Sequence, residues 1–190
     1  MNKYYRLISI ILFFVTVFFA TGCLTTEFKE YRFSLNDDGS GEGSITFRNI
    51  VSVEDDNQDV SIKDFDELLS DYIKGNRFEL DNPNYKVTDK VLFEDKDVLS
   101  GKITFSFSNI DSIGFFKDEN CDCSSLIYYL GDFGETLIES NGTTLVESKN
   151  IPIILWNRDT TDIYFKTIVQ ENLELAHSLL PLYKQQNESK

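Results

Sequence analysis

Apolar and polar side chains alternate with a period of two in several short stretches, which is the pattern of a strand with one buried face. The alternation runs through residues 31–35 and 45–47, on either side of the turn-rich segment 36–43. It returns in residues 85–93 and 103–107, which an acidic turn separates. These four stretches predict two antiparallel strand pairs, each with one face against a core.

Residues 62–74 follow a different period, because apolar residues recur every three or four positions and charged residues, Asp64 among them, fill the opposite side. This pattern indicates an amphipathic helix with a buried stripe. Ser61 followed by Asp64 resembles a capping box at its start, and Gly75 supplies a stop at its end. The stripe consists of Ile62, Phe65, Leu68, Leu69, Tyr72 and Ile73. We expect this helix to be a main support of the core.

A hairpin is predicted further along the chain. Residues 136–140 and 143–147 flank Asn141-Gly142, a dipeptide that tolerates the positive φ angles of a type I′ turn. The implied register pairs Ile138 with Leu145. Apolar residues fall on both faces, which favours a central place in the sheet.

The C-terminal part completes the predicted fold. Residues 151–156 and 163–169 have the pattern of further strands, and residues 170–180 that of a helix that Pro181 ends or kinks. The fold class is therefore α+β: a largely antiparallel sheet of hairpins, with the helix at 62–74 and a C-terminal helix packed on one face.

The N-terminus has the pattern of an export signal. Lys3 and Arg6 are followed by the apolar run Leu7–Ala20. A helix of this length spans about 21 Å, which is short of the roughly 30 Å hydrocarbon core of a bilayer. The run therefore fits the apolar region of a signal peptide better than a membrane span.

The residues that end this signal, Ala20-Thr21-Gly22-Cys23, resemble the lipobox of bacterial lipoproteins, although Ala20 stands where that family usually has Leu. The resemblance implies cleavage before Cys23 and attachment of a diacylglycerol to its thiol. Several acyl chains anchor far better than one, because each buried CH₂ contributes roughly 0.8 kcal/mol. An ordinary secretory signal and an uncleaved anchor with a chance cysteine are the alternatives.

The chain divides into four predicted parts. Residues 1–22 are the lipoprotein signal peptide, 23–26 a short lipidated tether, 27–183 a single domain, and 184–190 a polar, disordered tail. The order of elements after Cys23 also resembles, weakly, the LppM-type domain of bacterial lipoproteins. That likeness implies a fold more than an activity.

The charge balance excludes one class of partner. The chain carries 18 basic and 32 acidic residues, and removal of Lys3 and Arg6 with the signal leaves a net charge of −16. Such a surface repels phosphate backbones, so we expect no nucleic-acid partner. The residue after Cys23 is Leu24 and not Asp, which by the enterobacterial sorting pattern favours the outer membrane if the organism is Gram-negative.

Cys121 and Cys123 are the remaining cysteines. In an oxidising compartment they form a local disulfide, stay as two thiols, or serve a redox or metal role. A metal role is disfavoured, because the one histidine, His177, lies on a predicted helix far away in sequence.

Two acidic segments are candidate cation sites. Residues 36–43 resemble a calcium loop at first sight, but Phe47 stands where the twelfth-position glutamate is needed. The acidic run 54–59 fits a solvated loop before the helix. We expect no metal and no cofactor other than the covalent lipid on Cys23.

No catalytic motif occurs in the chain, so no catalytic residue is assigned. The sequence therefore favours a lipid-anchored protein of the cell envelope that acts as a non-enzymatic binding or assembly module. The alternatives are an envelope enzyme or thiol-redox factor using Cys121 and Cys123, and a cation-dependent ligand-binding domain that uses the acidic loops. The binding partner is not encoded in any recognisable motif.

Overall fold

The computed structural model describes residues 23–117, 125–130, 134–146 and 152–188. Over these residues the chain is an α+β domain of antiparallel strands and short helices, which confirms the predicted fold class. The strands are β1 (Leu24–Leu35), β2 (Gly41–Val53), β3 (Lys86–Asp95), β4 (Val98–Phe107), β5 (Phe115–Phe116), β6 (Leu126–Tyr129), β7 (Thr136–Ser140), β8 (Thr143–Val146), β9 (Pro152–Trp156), β10 (Asp162–Ile168) and β11 (Ala176–Ser178). The helical segments are α1 (Ser61–Glu67), its π-helical continuation (Leu68–Ile73), α2 (Arg77–Asp81), a 3₁₀ turn (Ile110–Ile113) and α3 (Leu180–Glu188).

Seven of the described strands form the main sheet, in the order β3-β4-β2-β1-β10-β7, with β11 paired to the end of β2. The two predicted strand pairs are confirmed as β1 with β2 and β3 with β4. The turn between β1 and β2 places Gly39 at φ +80, and the Asp38 carboxylate accepts the Ser40 amide at 3.0 Å. The segment 36–43 thus connects two paired strands.

A second sheet, β5-β6-β9-β8, covers one half of the inner face of the main sheet, and we call this region the sandwich half. The sequence did not predict this sheet. Phe165 is fully buried at its centre, with its ring 4.5 Å from that of Tyr31 and 5.0 Å from that of Tyr128. The buried core of this half comprises Phe33, Ile45, Phe78, Ile103, Phe105, Phe107, Ile110, Ile113, Phe115, Leu126, Leu130, Ile154, Trp156, Ile163 and Phe165.

The predicted hairpin at Asn141-Gly142 is wrong. β7 pairs with β10 in the main sheet, whereas β8 pairs with β9 in the second sheet, so the chain changes sheets at this corner. The Asn141 Oδ1 accepts hydrogen bonds from Trp156 Nε1 at 2.7 Å and from the Tyr164 amide at 2.9 Å. Its Nδ2 donates to the Asp162 carbonyl at 2.9 Å. These bonds to distant strands hold the corner in place of a local turn.

Helices cover the other half of the inner face, which we call the helix half. α1, its π-helical continuation and α3 pack there, as the sequence predicts for two helices on one face. The buried core consists of Ile50, Phe65, Leu68, Leu99, Leu179 and Leu180. The half-buried Phe47 packs against both cores and so links the two halves.

The C-terminal helix starts at Leu180, so the prediction of a helix over residues 170–180 is wrong in position. The stretch before it contains β11, which pairs with Val51–Val53 and satisfies backbone groups at the end of β2. Pro181 lies in the first turn of α3, where a helix needs no backbone N–H. α3 continues to Glu188, so most of the predicted polar tail, 184–190, is helical.

Candidate lipid-anchoring end and apolar sheet face

Cys23, the predicted lipidation residue, immediately precedes β1. Its carbonyl oxygen accepts a hydrogen bond from the Val53 amide at 2.9 Å, next to the end of β2. Residues 23–26 are not a tether, because Leu24 already begins β1 and the Thr26 hydroxyl donates to the Arg48 carbonyl at 2.5 Å. A lipid on Cys23 would be attached directly at the end of the main sheet.

The folded surroundings disfavour the thiolate of Cys23. Burial raises the pKa of the Cys23 thiol, and the Asp55 and Asp64 carboxylates raise it further, while Lys63 acts in the opposite direction. A raised pKa reduces the population of the nucleophilic thiolate at neutral pH.

Asp64 was predicted on the polar side of the helix, and the structure corrects this. Asp64 is only 1% exposed, and it accepts the hydroxyl of the fully buried Ser52 at 2.7 Å. Ser52 pairs with Leu24 of β1, so the bond holds the first turn of α1 beside the residue that follows Cys23. The predicted capping box does not form, because this carboxylate is used in the interior.

His177 lies beside the same end, in β11 and not on a helix as predicted. Its Nε2 lies 3.1 Å from Glu54 Oε1, and its Nδ1 lies 3.6 Å from Asp59 Oδ2. Asp59 also accepts the Ser61 amide at 2.9 Å, and the bonds from Ser61 lower the pKa of Asp59. The acidic run 54–59 thus connects β2, β11 and the start of α1.

Two large apolar side chains are exposed at this end. Ile62, which the sequence predicts in the buried stripe, is 70% exposed in the first turn of α1. Leu175 is 56% exposed, and its carbonyl accepts the Glu54 amide at 3.0 Å. Neither side chain contributes to the core of the helix half.

A larger apolar surface lies on the second sheet, and we call it the apolar sheet face. The strand registers place six apolar residues on its outer side, opposite the buried side that faces the core. They are Phe116, Ile127, Tyr129, Leu145, Ile153 and Leu155. Phe116 is 60% exposed, Leu145 48% and Tyr129 45%, and none of the six is charged. Sequence reasoning missed this face, because β9 is apolar at every position and shows no alternation.

The described interior also contains a polar cluster around Glu135. Its carboxylate accepts Lys29 Nζ at 2.6 Å, the Tyr31 hydroxyl at 2.9 Å and the Thr167 hydroxyl at 2.7 Å. The Glu135 side chain is only 7% exposed. Burial raises the pKa of Tyr31 well above its usual value, and Glu135 adds to the effect. With three donors on one carboxylate, the cluster ties β1 and β10 to the start of β7.

The remaining predictions concern the cysteine pair, metal binding and the membrane. Cys121 and Cys123 lie outside the described residues. Among the residues described, no three His, Cys, Asp or Glu side chains are grouped so as to hold a metal ion. No helix in the same part of the chain is long and apolar enough to cross a membrane.

Comparison with family models, with curated proteins and with solved structures finds no match for this chain.

Proposed function

We propose that this chain is a lipoprotein of the cell envelope, anchored by a covalent lipid on Cys23, and that its domain is a non-enzymatic binding or assembly module. The observation that carries the proposal is the position of Cys23. It closes the signal-like leader and lies one residue before the first strand of the folded domain. Cleavage before Cys23 would therefore remove the leader and leave every described strand intact.

The module part of the proposal is supported by the apolar sheet face. In a mature chain of net charge −16, six uncharged apolar side chains share one side of a four-stranded sheet. Contiguous exposed apolar surfaces of this kind are typical of binding and assembly sites. The lipid would hold this face at the membrane surface and raise its effective concentration for an envelope partner.

The destination follows from the sequence near the anchor. Leu24 in the position after Cys23 favours the outer membrane if the cell is Gram-negative. The acidic surface opposes nucleic acid and anionic lipid as partners, so the covalent lipid is the membrane attachment in this proposal.

Metabolic labelling with an alkyne fatty acid tests the anchor. The wild type should incorporate the label and enter the detergent phase on phase separation, and Cys23→Ser should lose both properties. The Cys121→Ser/Cys123→Ser double variant is the matched control, because it removes the other two cysteines and should label normally. Label retained by Cys23→Ser would overturn the proposal, and so would full membrane retention of that variant without label.

A further inference from the structure

The anchor residue and two exposed apolar side chains lie on one end of the domain. Val53 bonds to Cys23 on one side and pairs with Ala176 on the other. Adjacent strands are about 4.8 Å apart, so Leu175, which precedes Ala176, lies roughly 10 Å from Cys23. This places one of the two exposed apolar residues close to the lipid attachment point.

The start of α1 lies at the same end. Asp64 bonds to Ser52, and Ser52 pairs with Leu24, the residue after Cys23. Lys63 and Asp64 both act electrostatically on Cys23. Ile62 is adjacent to them in the first turn of the helix and is 70% exposed.

We propose that this end of the domain, with Ile62 and Leu175 as its apolar contacts, rests directly on the bilayer surface in which the Cys23 lipid is inserted. The inference rests on the proposed lipid anchor. Because β1 begins one residue after Cys23, no spacer separates the fold from the membrane. A bilayer is about 40–45 Å thick, and the hydrocarbon core takes up about 30 Å of this, so the headgroup regions make up the rest. Side chains within roughly 10 Å of an acylated residue then reach the nearer headgroup region.

The charges at this end select the type of lipid surface. Glu54, Asp55, Asp56 and Asp59 precede Ile62 in the chain, and Lys63 follows it. The Glu54 amide bonds to the Leu175 carbonyl, which brings this acidic run beside the second apolar side chain. Such a cluster is repelled by the negative surface potential of anionic lipids. The partner that fits is therefore a bilayer rich in zwitterionic headgroups.

Tryptophan scanning of the full-length acylated protein tests the contact. Ile62→Trp and Leu175→Trp would be reconstituted in phosphatidylcholine vesicles that carry brominated acyl chains, which quench nearby indoles. Leu80→Trp is the matched control, because Leu80 is 67% exposed on α2. Glu79 of α2 accepts a hydrogen bond from Lys90 of β3. The strand pairings place Lys90 level with Tyr31 of β1, and Tyr31 lies roughly 25 Å along β1 from Cys23. Leu80 is therefore far from the anchor residue.

Trp156 is buried and gives a constant background fluorescence in every variant. The brominated lipid should quench the additional fluorescence of the tryptophan at position 62 or 175, and the additional fluorescence of the tryptophan at position 80 should persist. Replacing part of the lipid by phosphatidylglycerol should weaken the quenching at position 62, and unchanged quenching would contradict the headgroup preference. Equal quenching at positions 62, 175 and 80 in acylated protein would overturn the proposed bilayer contact without contradicting the lipid anchor. Protein that carries no acyl group would overturn the anchor and this contact together.

Discussion

The same face of the main sheet is covered by helices in the helix half and by a second sheet in the sandwich half. In the helix half, the cover comes from one continuous helical segment and from α3, with Phe65 and Leu68 inserted among aliphatic side chains. In the sandwich half, the cover comes from β5, β6, β8 and β9, which are two to five residues long and are spread over residues 115–156. Short strands contribute little by themselves, so the sandwich half depends on the aromatic core they share with the main sheet.

The largest effect should come from the centre of that aromatic core. Phe165→Ala should lower the free energy of unfolding by about 3–5 kcal/mol, as expected for a fully buried phenylalanine. The Phe165 ring contacts those of Tyr31, Phe33, Tyr128 and Trp156, and such pairs add about 0.5–1.5 kcal/mol beyond burial. Denaturant unfolding followed by circular dichroism measures the loss.

Phe65→Ala is the matched variant in the helix half, because Phe65 is also buried but has no described aromatic ring in contact. Phe65→Ala should lower the free energy of unfolding by about 3 kcal/mol, which is less than the loss for Phe165→Ala. A larger loss for Phe65→Ala would show that the helix half carries more of the stability, and the comparison would have to be reversed.

The corner between the sheets should be the next most sensitive point. Asn141→Ala removes three hydrogen bonds to β9 and β10, and we expect the free energy of unfolding to fall by about 1–3 kcal/mol, chiefly because the indole N–H of the buried Trp156 is left unpaired. Asn141→Asp keeps the oxygen that accepts from Trp156 and Tyr164, so its free energy of unfolding should fall by less. A corner that changes sheets depends on the bonds of Asn141 to β9 and β10, so two near-neutral variants would contradict it.

The smallest effect at neutral pH concerns three half-buried tyrosines of the sandwich half. Burial raises the pKa of Tyr85 to about 12, and burial also raises those of Tyr31 and Tyr128. The folded domain therefore keeps protons that the unfolded chain releases near pH 10, so stability is full below about pH 10 and falls as pH rises above it. Phenolate absorbance and circular dichroism during alkaline titration follow both events.

Tyr85→Phe should move the alkaline unfolding midpoint to higher pH, since it removes one of these groups. Tyr129→Phe, on the exposed side of β6, is the control. An equal shift of the unfolding midpoint from both variants would show that the half-buried phenols are not the cause.

Local patterns predicted the main helix of the helix half, although not the position of α3, and they did not predict the second sheet of the sandwich half. The stripe of Phe65 and Leu68 repeats within a few residues, so its period is visible without knowledge of the fold. The second sheet depends on pairings such as Leu126 with Trp156, which no local pattern encodes. The same limit explains Asn141, because its turn propensity was outweighed by bonds to residues that follow it by fifteen positions or more.

The anchoring end could be predicted only in part. The leader identifies Cys23 as the candidate residue, because charge, apolar run and small residues occur in a fixed local order. The absence of a spacer could not be read from composition, since Leu24 and Thr26 suit a tether as well as a strand. Nor could Ile62 be distinguished from the buried stripe, because helical spacing does not show where the sheet beneath the helix ends.

The central claim is the lipid on Cys23, and mass spectrometry of the mature N-terminal peptide tests it most directly. The account predicts a peptide that begins at Cys23 and carries the added mass of a diacylglyceryl group, with or without a further acyl chain. A peptide that begins at Met1, or a mature chain with an unmodified Cys23, would contradict it.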